Sequence, residues 1–309
     1  MPFLVSLCNL GSWLSRYPVA VADGDLASAA FLDCDAFMLP DADTGITGIT
    51  AYRGDLLLCV QSAMPRLVRL DPYYDVRAVY PLAEALDPHS VCIEGATALI
   101  ASSRRNRVIA LDLETGVERC RFVADEADRD TVHLNSLAIW NGRLAVSMLG
   151  RRGNDGRRAG CVVTEDGDVI AANLAEPHSL TVADGRLLFL ESAAGTCVEA
   201  GGTRSVVAGD GYLRGLCVEQ DRSVFGRSAL RHERHGAGNA YGGSALMSVD
   251  RQTGTVSTLD LTPLGPEIYD ILSVAEPPPA ERLFGDAETR RHETRTLAKR
   301  HSAARGEPA

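Results

Sequence analysis

The stretch that decides the fold is Pro177-His178-Ser179-Leu180, which is followed by Thr-Val-Ala-Asp184-Gly185-Arg186 and Leu-Leu-Phe-Leu. The apolar run on each side of Asp-Gly predicts two antiparallel strands joined by a tight turn. Close copies of this phrase begin at Pro88 and Leu134, and looser copies begin at Ile46, Leu213 and Tyr269. A repeated pair of strands therefore organises most of the chain.

The spacing of the copies predicts the fold class. The polar second residues of the six copies are Thr47, His89, Asn135, His178, Arg214 and Asp270. Successive members of this set are 42, 46, 43, 36 and 56 residues apart. A period of about 40–45 residues with several strands in each unit is typical of β-propeller blades. The sequence therefore predicts an all-β protein, a six-bladed β-propeller.

The two ends of the chain predict how the ring closes. Three strands, at residues 3–8, 18–22 and 27–32, precede the first copy, and a lone strand at 268–275 follows the last. If the C-terminal strand becomes the innermost strand of the N-terminal blade, the ring closes without unpaired edges. The predicted domains are therefore a propeller over residues 1–276 and a charged C-terminal tail over 277–309.

Composition limits the partners. The chain has 309 residues and a net charge of −10, so nucleic acid and acidic membrane surfaces are not expected to bind it. Its eight cysteines show no metal-type spacing, and most stand within apolar strands. They are expected to be buried thiols in a reducing compartment, and the N-terminus lacks the basic region of a signal peptide. We therefore expect a cytoplasmic protein, and its oligomeric state stays open.

Propeller geometry predicts one site at the mouth of the central channel. The first strand of each blade lines the channel, so the six second residues of the phrase should converge there. The loops between second and third strands should surround the same mouth, and they contribute Asn9, Gln61, Ser102, Ser147, Glu191 and Arg227. His133 and Glu176 precede Asn135 and His178 by two residues, so strand alternation lets them face the same way.

These residue types predict acid–base chemistry on a small polar or anionic molecule. His178 and His89 would transfer protons or bind a metal ion, because imidazole titrates near neutral pH. Arg214 would bind a carboxylate or an oxyanion, or would simply pair with Asp270, which otherwise orients a histidine. Glu191 is the alternative acid–base group, suited to a cyclisation. The predicted substrate contacts are Arg214, Asn135, Tyr269, Gln61 and Arg227.

Several motifs carry a family resemblance over residues 3–275. They are Leu4-Val5-Ser6-Leu7-Cys8-Asn9, Gly45-Ile-Thr-Gly-Ile, Pro177-His178-Ser179-Leu180 with Asp184-Gly185-Arg186-Leu187, Arg214-Gly215-Leu216 and Glu267-Ile268-Tyr269-Asp270-Ile271. With them the chain resembles an uncharacterised bacterial propeller family. In fold that family is related to gluconolactonase-like hydrolases, strictosidine-synthase-like proteins and NHL-repeat proteins.

One motif also implies a metal. Pro177-His178-Ser179-Leu180 resembles a zinc-ligand segment of the NHL-type peptidylglycine amidating lyase, and His89 stands in the same pattern. The third histidine of that pattern is Asn135 here, with His133 nearby. The resemblance thus implies a divalent ion, zinc or a similar metal, on His89, His178 and His133, with Asp270 as the alternative to His133.

Two function hypotheses remain open on the sequence. The first is a small-molecule enzyme of the hydrolase, lyase or isomerase/cyclase type that acts at the channel mouth. The second is a non-catalytic propeller that binds a ligand or a protein partner through the same face. A polar, glycine-rich insertion at 231–243 is predicted to act as a lid over that face.

Overall fold

The computed structural model describes residues 1–8, 18–33, 45–153, 156, 158–207, 211–228 and 243–284. These residues form six antiparallel sheets that follow one another around a ring, so the chain is a six-bladed β-propeller. Five blades have four strands, and blade 1 has five. Among the described residues no helix is long and apolar enough to cross a membrane.

Blade 1 is built from both ends of the chain, and blades 2 and 3 are continuous. Blade 1 contains, in sheet order, β24 (Glu267–Ser273), β1 (Phe3–Cys8), β2 (Val19–Ala22), β3 (Ala29–Leu32) and β25 (Leu283–Phe284). Blade 2 contains β4 (Gly45–Tyr52), β5 (Asp55–Gln61), β6 (Arg66–Leu70) and β7 (Val76–Pro81). Blade 3 contains β8 (Pro88–Glu94), β9 (Thr97–Ser102), β10 (Arg107–Asp112) and β11 (Glu118–Val123).

Blades 4 to 6 repeat the same plan. Blade 4 contains β12 (Leu134–Trp140), β13 (Arg143–Met148), β14 (Gly160–Thr164) and β15 (Val169–Leu174). Blade 5 contains β16 (Pro177–Ala183), β17 (Arg186–Glu191), β18 (Thr196–Glu199) and β19 (Arg204–Val206). Blade 6 contains β20 (Tyr212–Val218), β21 (Arg222–Ser228), β22 (Ala245–Asp250) and β23 (Val256–Asp260). Within the described ranges, two single 3-10 turns occur, at Ser192–Ala194 and Ala280–Arg282.

The predicted ring closure is confirmed. Strand β24 pairs antiparallel with β1, from Phe3 opposite Ser273 to Cys8 opposite Glu267, and is the innermost strand of blade 1. The innermost strands then contact one another in the cyclic order β4, β8, β12, β16, β20, β24 and back to β4. The described start of the predicted tail adds β25 to the outer edge of β3, and residues 285–309 lie outside the described part.

Local turn chemistry explains the outer hairpins of the blades. The Asp112 carboxylate accepts hydrogen bonds from the amides of Glu114 and Thr115, and Gly116 takes the left-handed conformation with φ 74°. Asp250 and Gly254 repeat this turn in blade 6. An L side chain is disfavoured at such a φ, which explains the glycine in each Asp-x-x-Thr-Gly turn.

The core lies between the blades. Each of six apolar clusters joins the facing sides of two neighbouring sheets. Phe189, for example, is fully buried between blades 5 and 4, and Phe3 is fully buried between blades 1 and 6. Burying one such side chain stabilises the fold by about 1.5–3 kcal/mol. Because every blade packs on two others, the ring forms one rigid frame for the channel.

Every innermost strand carries a β-bulge at the repeated phrase. The ladder register shifts between Ile46 and Gly48, between Leu134 and Ser136, and between Arg214 and Leu216, and equivalent shifts occur in blades 1, 3 and 5. A bulge bends the strand and turns a side chain out of the regular alternation. The phrase therefore marks the point where each blade directs a side chain towards the channel.

Candidate functional site

One buried side chain from each blade stands at the bulge, and we call this set the polar ring. Its members are Thr47, His89, Asn135, His178, Arg214 and Tyr269. The predicted register placed Asp270 in the blade 1 position. The pairing of β24 with β1 shifts between Asp270 and Ile268, which places Tyr269 in the bulge instead. This corrects the sixth copy of the phrase by one residue.

Asp270 has a different task, which is to link blade 1 to blade 2. Its carboxylate accepts the Ile49 amide at 3.0 Å from blade 2 and the Ile271 amide at 3.0 Å. Ser179 does the same for blades 5 and 6, because its hydroxyl accepts the Gly215 amide at 2.8 Å. Burial raises the pKa of Asp270 to about 6. Asp270 makes these backbone contacts rather than the predicted contact with a histidine.

The two ring histidines have the same fixed tautomer. His89 Nδ1 lies 2.9 Å from the Asp87 carbonyl, and His178 Nδ1 lies 2.9 Å from the Glu176 carbonyl. A carbonyl oxygen only accepts, so each Nδ1 carries the proton and each Nε2 keeps its lone pair. Burial lowers the pKa of His89 to about 4. Burial, together with the Arg214 charge, holds the pKa of His178 well below its ordinary value.

The surroundings of the two imidazoles differ. His178 Nδ1 also contacts the Ser192 hydroxyl at 2.8 Å, and the edge of its ring meets Tyr212 at a centroid distance of 5.4 Å. His89 meets His133 edge-on at 4.7 Å and Tyr269 at 5.8 Å. His178 thus faces the cationic side of the ring, whereas His89 lies beside a second histidine.

Arg214 is a buried cation held by a carboxylate and two aromatic faces. Its Nη1 donates to Glu267 Oε2 at 2.6 Å, and both side chains are 5% exposed or less. The guanidinium lies 4.8 Å from the Tyr212 ring and 5.1 Å from the Tyr269 ring, which is cation–π geometry. Its buried Nε has no hydrogen-bond partner in the described part of the chain. The predicted pairing of Arg214 with Asp270 is wrong, because Glu267 takes that place.

A second layer of polar side chains stands two residues before the ring. It consists of Asp87, His133, Glu176, Tyr212 and Glu267. Three of these, Asp87, His133 and Glu176, have positive φ values of 51°, 52° and 55°. A non-glycine residue in this conformation costs about 1–2 kcal/mol, and such strain clusters at functional sites.

Contacts within the second layer link neighbouring blades. The Tyr212 hydroxyl donates to Glu176 Oε2 at 2.5 Å, and Gln61 Nε2 donates to Asp87 Oδ1 at 2.5 Å. His133 Nδ1 lies 2.6 Å from the Asp130 carboxylate. The layer thus fixes the residues whose carbonyl groups hold the two ring histidines.

Tyr269 reaches across the ring. Its hydroxyl donates to Asn135 Oδ1 at 3.5 Å, and Asn135 belongs to blade 4, which stands opposite blade 1 in the cyclic order of inner strands. Tyr269 is 8% exposed and carries the Arg214 guanidinium on its ring. The phenol ring therefore lies between the Arg214 guanidinium and a cavity of the channel that Tyr269 borders and Arg214 does not, and we call this ring the partition.

A cavity of about 410 Å³ lies on the far side of this partition, and we call it the lower chamber. Five ring members border it, and its walls follow the innermost strands towards their other ends. Exposure increases along these strands, up to 42% at Val182, so the chamber opens on the hairpin face, where the first two strands of each blade are joined. The volume falls within the usual range of small-molecule sites.

Other predicted site residues have structural partners. Glu191 accepts Arg204 Nε at 2.8 Å and the Ala175 amide at 3.1 Å, so its carboxylate is tied to the outer strand of its own blade. Arg227 is half-buried with its side chain against the backbone of Gly211. Asn9 and the predicted lid up to residue 242 lie outside the described residues.

The metal prediction was tested against the side chains present. Within the described ranges, no group of three or more His, Cys, Asp or Glu side chains is placed to hold an ion. A cation at the ring would also face the Arg214 charge beside His178, and the Asp270 carboxylate already accepts two backbone amides. The described residues thus do not fit a ready metal site, and zinc on His89, His178 and His133 stays a prediction.

The sequence missed Glu267 and Tyr212, although a signal for both was present. His133 and Glu176 were chosen because each stands two residues before a ring residue. Tyr212 stands two residues before Arg214 in the same way, and Glu267 stands two residues before Tyr269, the ring residue of blade 1. Cys8 was also missed; its thiol donates to Glu267 Oε2 at 3.5 Å from the neighbouring strand. Ser192 follows the predicted Glu191 directly and contacts His178.

Fold and site together define a six-bladed β-propeller with a buried polar ring across its channel. The family model described as a domain of unknown function, DUF4915, matches residues 60–280, which is more than half of the chain. The chain therefore belongs to this family, which confirms the predicted resemblance to an uncharacterised propeller family. A search of curated proteins found no match.

Solved structures with the same fold have very different sequences. The chain is similar to a protein from the nidogen/laminin complex, with a TM-score of 0.62 and 12% identity over 87% of this chain and 97% of that one. A Bacteroides caccae protein of unknown function gives a TM-score of 0.60 and 13% identity, covering 89% and 99%. Regucalcin, a calcium-binding protein from Agrobacterium tumefaciens strain C58, gives 0.52 and 15%, covering 70% and 74%. At such identities the likeness shows the fold alone.

Proposed function

We propose that the protein is an enzyme that acts on a small polar or anionic metabolite at the polar ring. The observation that carries this proposal is the pair of neutral imidazoles with fixed tautomers. Each Nδ1 proton is held by a backbone carbonyl, so each Nε2 is left as a proton acceptor. A backbone carbonyl holds the ring orientation without adding a charge, which suits a group that must gain and lose a proton.

Arg214 supports an anionic substrate. Its positive charge is buried, and its Nε–H lacks a partner in the described part of the chain. A carboxylate or a developing oxyanion could accept from that N–H without breaking the Glu267 pair. Tyr212 and Tyr269 fix the plane of the guanidinium, so the donor direction is set before the substrate binds.

Substrate charge would also tune His178. In the free protein burial, together with the Arg214 charge, keeps the pKa of His178 low, so the imidazole is a weak base. An anion bound to Arg214 offsets that positive charge and raises the pKa of His178 towards neutrality. His178 would then remove a proton from the bound anion, and the imidazolium so formed would return that proton to another atom of the substrate. His89 would accept a hydrogen bond or a proton from the substrate or from water on the other side, because its Nε2 also keeps a lone pair. This pairing suits hydrolysis, lyase chemistry or isomerisation.

The second candidate function is ligand or protein binding without catalysis. It is favoured by the occupation of the carboxylates near the ring: Glu267 is paired with Arg214, Glu191 with Arg204, and Asp270 accepts two backbone amides. The engagement of Glu191 also weakens the cyclisation alternative, which needs that carboxylate. With this second function the polar ring binds an anion and catalyses no reaction.

Turnover of a panel of lactones, hydroxy acids and related carboxylates separates the two functions. We expect the wild type to turn over at least one member, and His178→Gln to lower kcat by about 10²–10⁴-fold because a general acid–base group is lost. The matched control is Gln252→Ala on an exposed turn of blade 6, which should keep full activity. Saturable binding of carboxylates with no turnover in any variant would contradict catalysis and leave the binding function.

The predicted metal has its own test. Protein purified without chelator is assayed by mass spectrometry, alone and as the His89→Ala, His178→Ala double variant. About one zinc per chain in the wild type, lost in the double variant, would support the ion. Activity that persists in EDTA would make the histidines acid–base groups without a metal. Cytoplasmic localisation likewise stays a prediction.

A further inference from the structure

The lower chamber has a chemical character different from that of Arg214 and the second layer. Arg214, Glu267, His133 and Glu176 are absent from its walls, and the described walls carry no Arg, Lys or Glu. Asp270 is the carboxylate that borders it, and that group already accepts two backbone amides. The chamber therefore offers no fixed cation to an anion.

Two hydroxyl groups in the chamber are available to a ligand. Ser90 and Thr50 border it, both are half-buried, and neither side chain has a hydrogen-bond partner among the described residues. Ser136 and Ser179, in contrast, already accept amides of the next blade. The innermost strands are also edge strands, so part of their backbone donors and acceptors faces the channel.

The open end of the chamber is more apolar. Ile93, Ile139, Val182 and Val218 stand near the ends of their strands, and each is partly exposed. Hydroxyl groups thus lie deeper, towards the polar ring, and aliphatic side chains lie near the hairpin face. A ligand that matches both ends has its polar groups at one end and an aliphatic part at the other.

We propose that the lower chamber is a second binding site, for a small neutral molecule with hydroxyl or amide groups and an aliphatic part. This molecule enters from the hairpin face, and Tyr269 separates it from Arg214. The proposal does not depend on the proton-transfer function of the ring. It adds a site next to the ring whose walls offer no fixed cation, whereas Arg214 offers one on the other side of Tyr269.

A matched pair of probes tests the proposal by calorimetry: hexane-1,2-diol, which is neutral, and hexanoate, which is anionic. We expect the diol to bind saturably and the Ser90→Ala, Thr50→Val double variant to bind it about tenfold more weakly, because two hydrogen bonds are lost. Val182→Trp should narrow the entrance and lower diol affinity further. The matched control, Val169→Trp, changes an exposed valine on outer strand β15 and should leave diol binding unchanged.

Arg214→Gln distinguishes the chamber from the ring. Diol binding should survive this substitution within twofold, whereas any hexanoate binding that depends on the ring should be lost. Failure of hexanoate to bind would weaken the anion hypothesis and leave the chamber intact. Absence of saturable diol binding to the wild type would overturn the chamber proposal, as would equal losses in Val182→Trp and Val169→Trp.

Discussion

Blades 5 and 1 each accept a backbone amide of the next blade, but they do so with different side chains. In blade 5 the phrase reads Pro177-His178-Ser179, and a neutral serine hydroxyl accepts the amide of the next blade at 2.8 Å. In blade 1 it reads Ile268-Tyr269-Asp270, and the Asp270 carboxylate accepts the Ile49 amide of blade 2 at 3.0 Å. Blade 5 is one continuous segment, whereas blade 1 joins the two ends of the chain.

The comparison shows that charged side chains are concentrated in blade 1, where the two ends of the chain close the propeller. Blade 1 contributes Asp270 and the Glu267 partner of Arg214, and both lie on the strand that closes the propeller. A charge-assisted hydrogen bond is stronger than a neutral one, but it is costly once its partner is lost. We therefore expect blade 1 to be more sensitive than blade 5 to each equivalent change.

Removal of β1 should have the largest effect. Deletion of residues 1–12, with a new initiating methionine, leaves β24 and β2 without their shared neighbour and exposes two strand edges. Cooperative unfolding should be lost, as measured by calorimetry and urea titration. An unchanged melting transition would contradict the closure argument. Removal of the C-terminal residues 285–309 serves as the control and should keep cooperativity.

Glu267→Gln should have the next largest effect. The substitution leaves the Arg214 guanidinium buried without its counter-charge, so the free energy of unfolding should fall by about 3–5 kcal/mol. Glu199→Gln removes a more exposed pair with Arg186 at 3.3 Å and should cost at most about 1 kcal/mol. Urea denaturation of the two variants measures the contrast, and equal losses would refute it.

Asp270→Asn should change how stability depends on pH. The pKa of Asp270 is raised to about 6 in the folded protein from 3.8, so the folded state holds its proton more tightly. The Asp270 contribution to stability is therefore complete below pH 4 and falls as pH rises from 4 to 6. The wild-type stability minus that of Asp270→Asn should decrease by about 1–2 kcal/mol across this window.

The comparison with a variant is needed because the histidines act in the opposite direction. The pKa of His89 is lowered to about 4, so that residue destabilises the fold as pH falls through the same window. Asp221→Asn, at an exposed turn of blade 6, is the matched control and should track the wild type. A difference profile for Asp270→Asn that is flat between pH 4 and 6 would contradict the raised pKa.

Ser179→Ala should have the smallest effect of the series. The Gly215 amide loses its acceptor, which should lower the free energy of unfolding by about 1 kcal/mol. The exposed Ser257→Ala on outer strand β23 should change nothing measurable. If Ser179→Ala lowers the free energy of unfolding as much as Glu267→Gln does, blade 1 is not more sensitive than blade 5 and the comparison is refuted.

The fold was predictable because its signals are local. Asp-Gly and Thr-Gly turns and alternating apolar strands each act over fewer than ten residues, and the period of about 40–45 residues agrees with them. The register of the looser copy at Tyr269 was wrong by one residue because this copy lacks the serine that follows the polar residue in the close copies. Shifting the register of a strand by one residue moves its side chains to the opposite face. Tyr269 therefore takes the ring position expected for Asp270, and Asp270 accepts the amide of the next blade.

The positions of most polar-ring residues were predictable from the sequence, but their hydrogen-bond and ion-pair partners were not. His89, His178, Arg214 and Asn135 follow from the phrase itself, since the bulge of each blade is a local feature. The partner of Arg214 depends on how β20 meets β24, which no local pattern encodes. The Arg204 partner of Glu191 was not predicted for the same reason, because Arg204 reaches Glu191 from another strand of the blade.

The bulges have an evolutionary consequence. Thr47, Asn135 and Tyr269 stand outside the regular strand pairing, so a new side chain there leaves the neighbouring pairs in register. Each of these bulges thus offers one position on the channel wall where the side chain can change while the strands keep their pairing. A lineage could exchange these residues one at a time and acquire new ligand preferences while it retains the same framework.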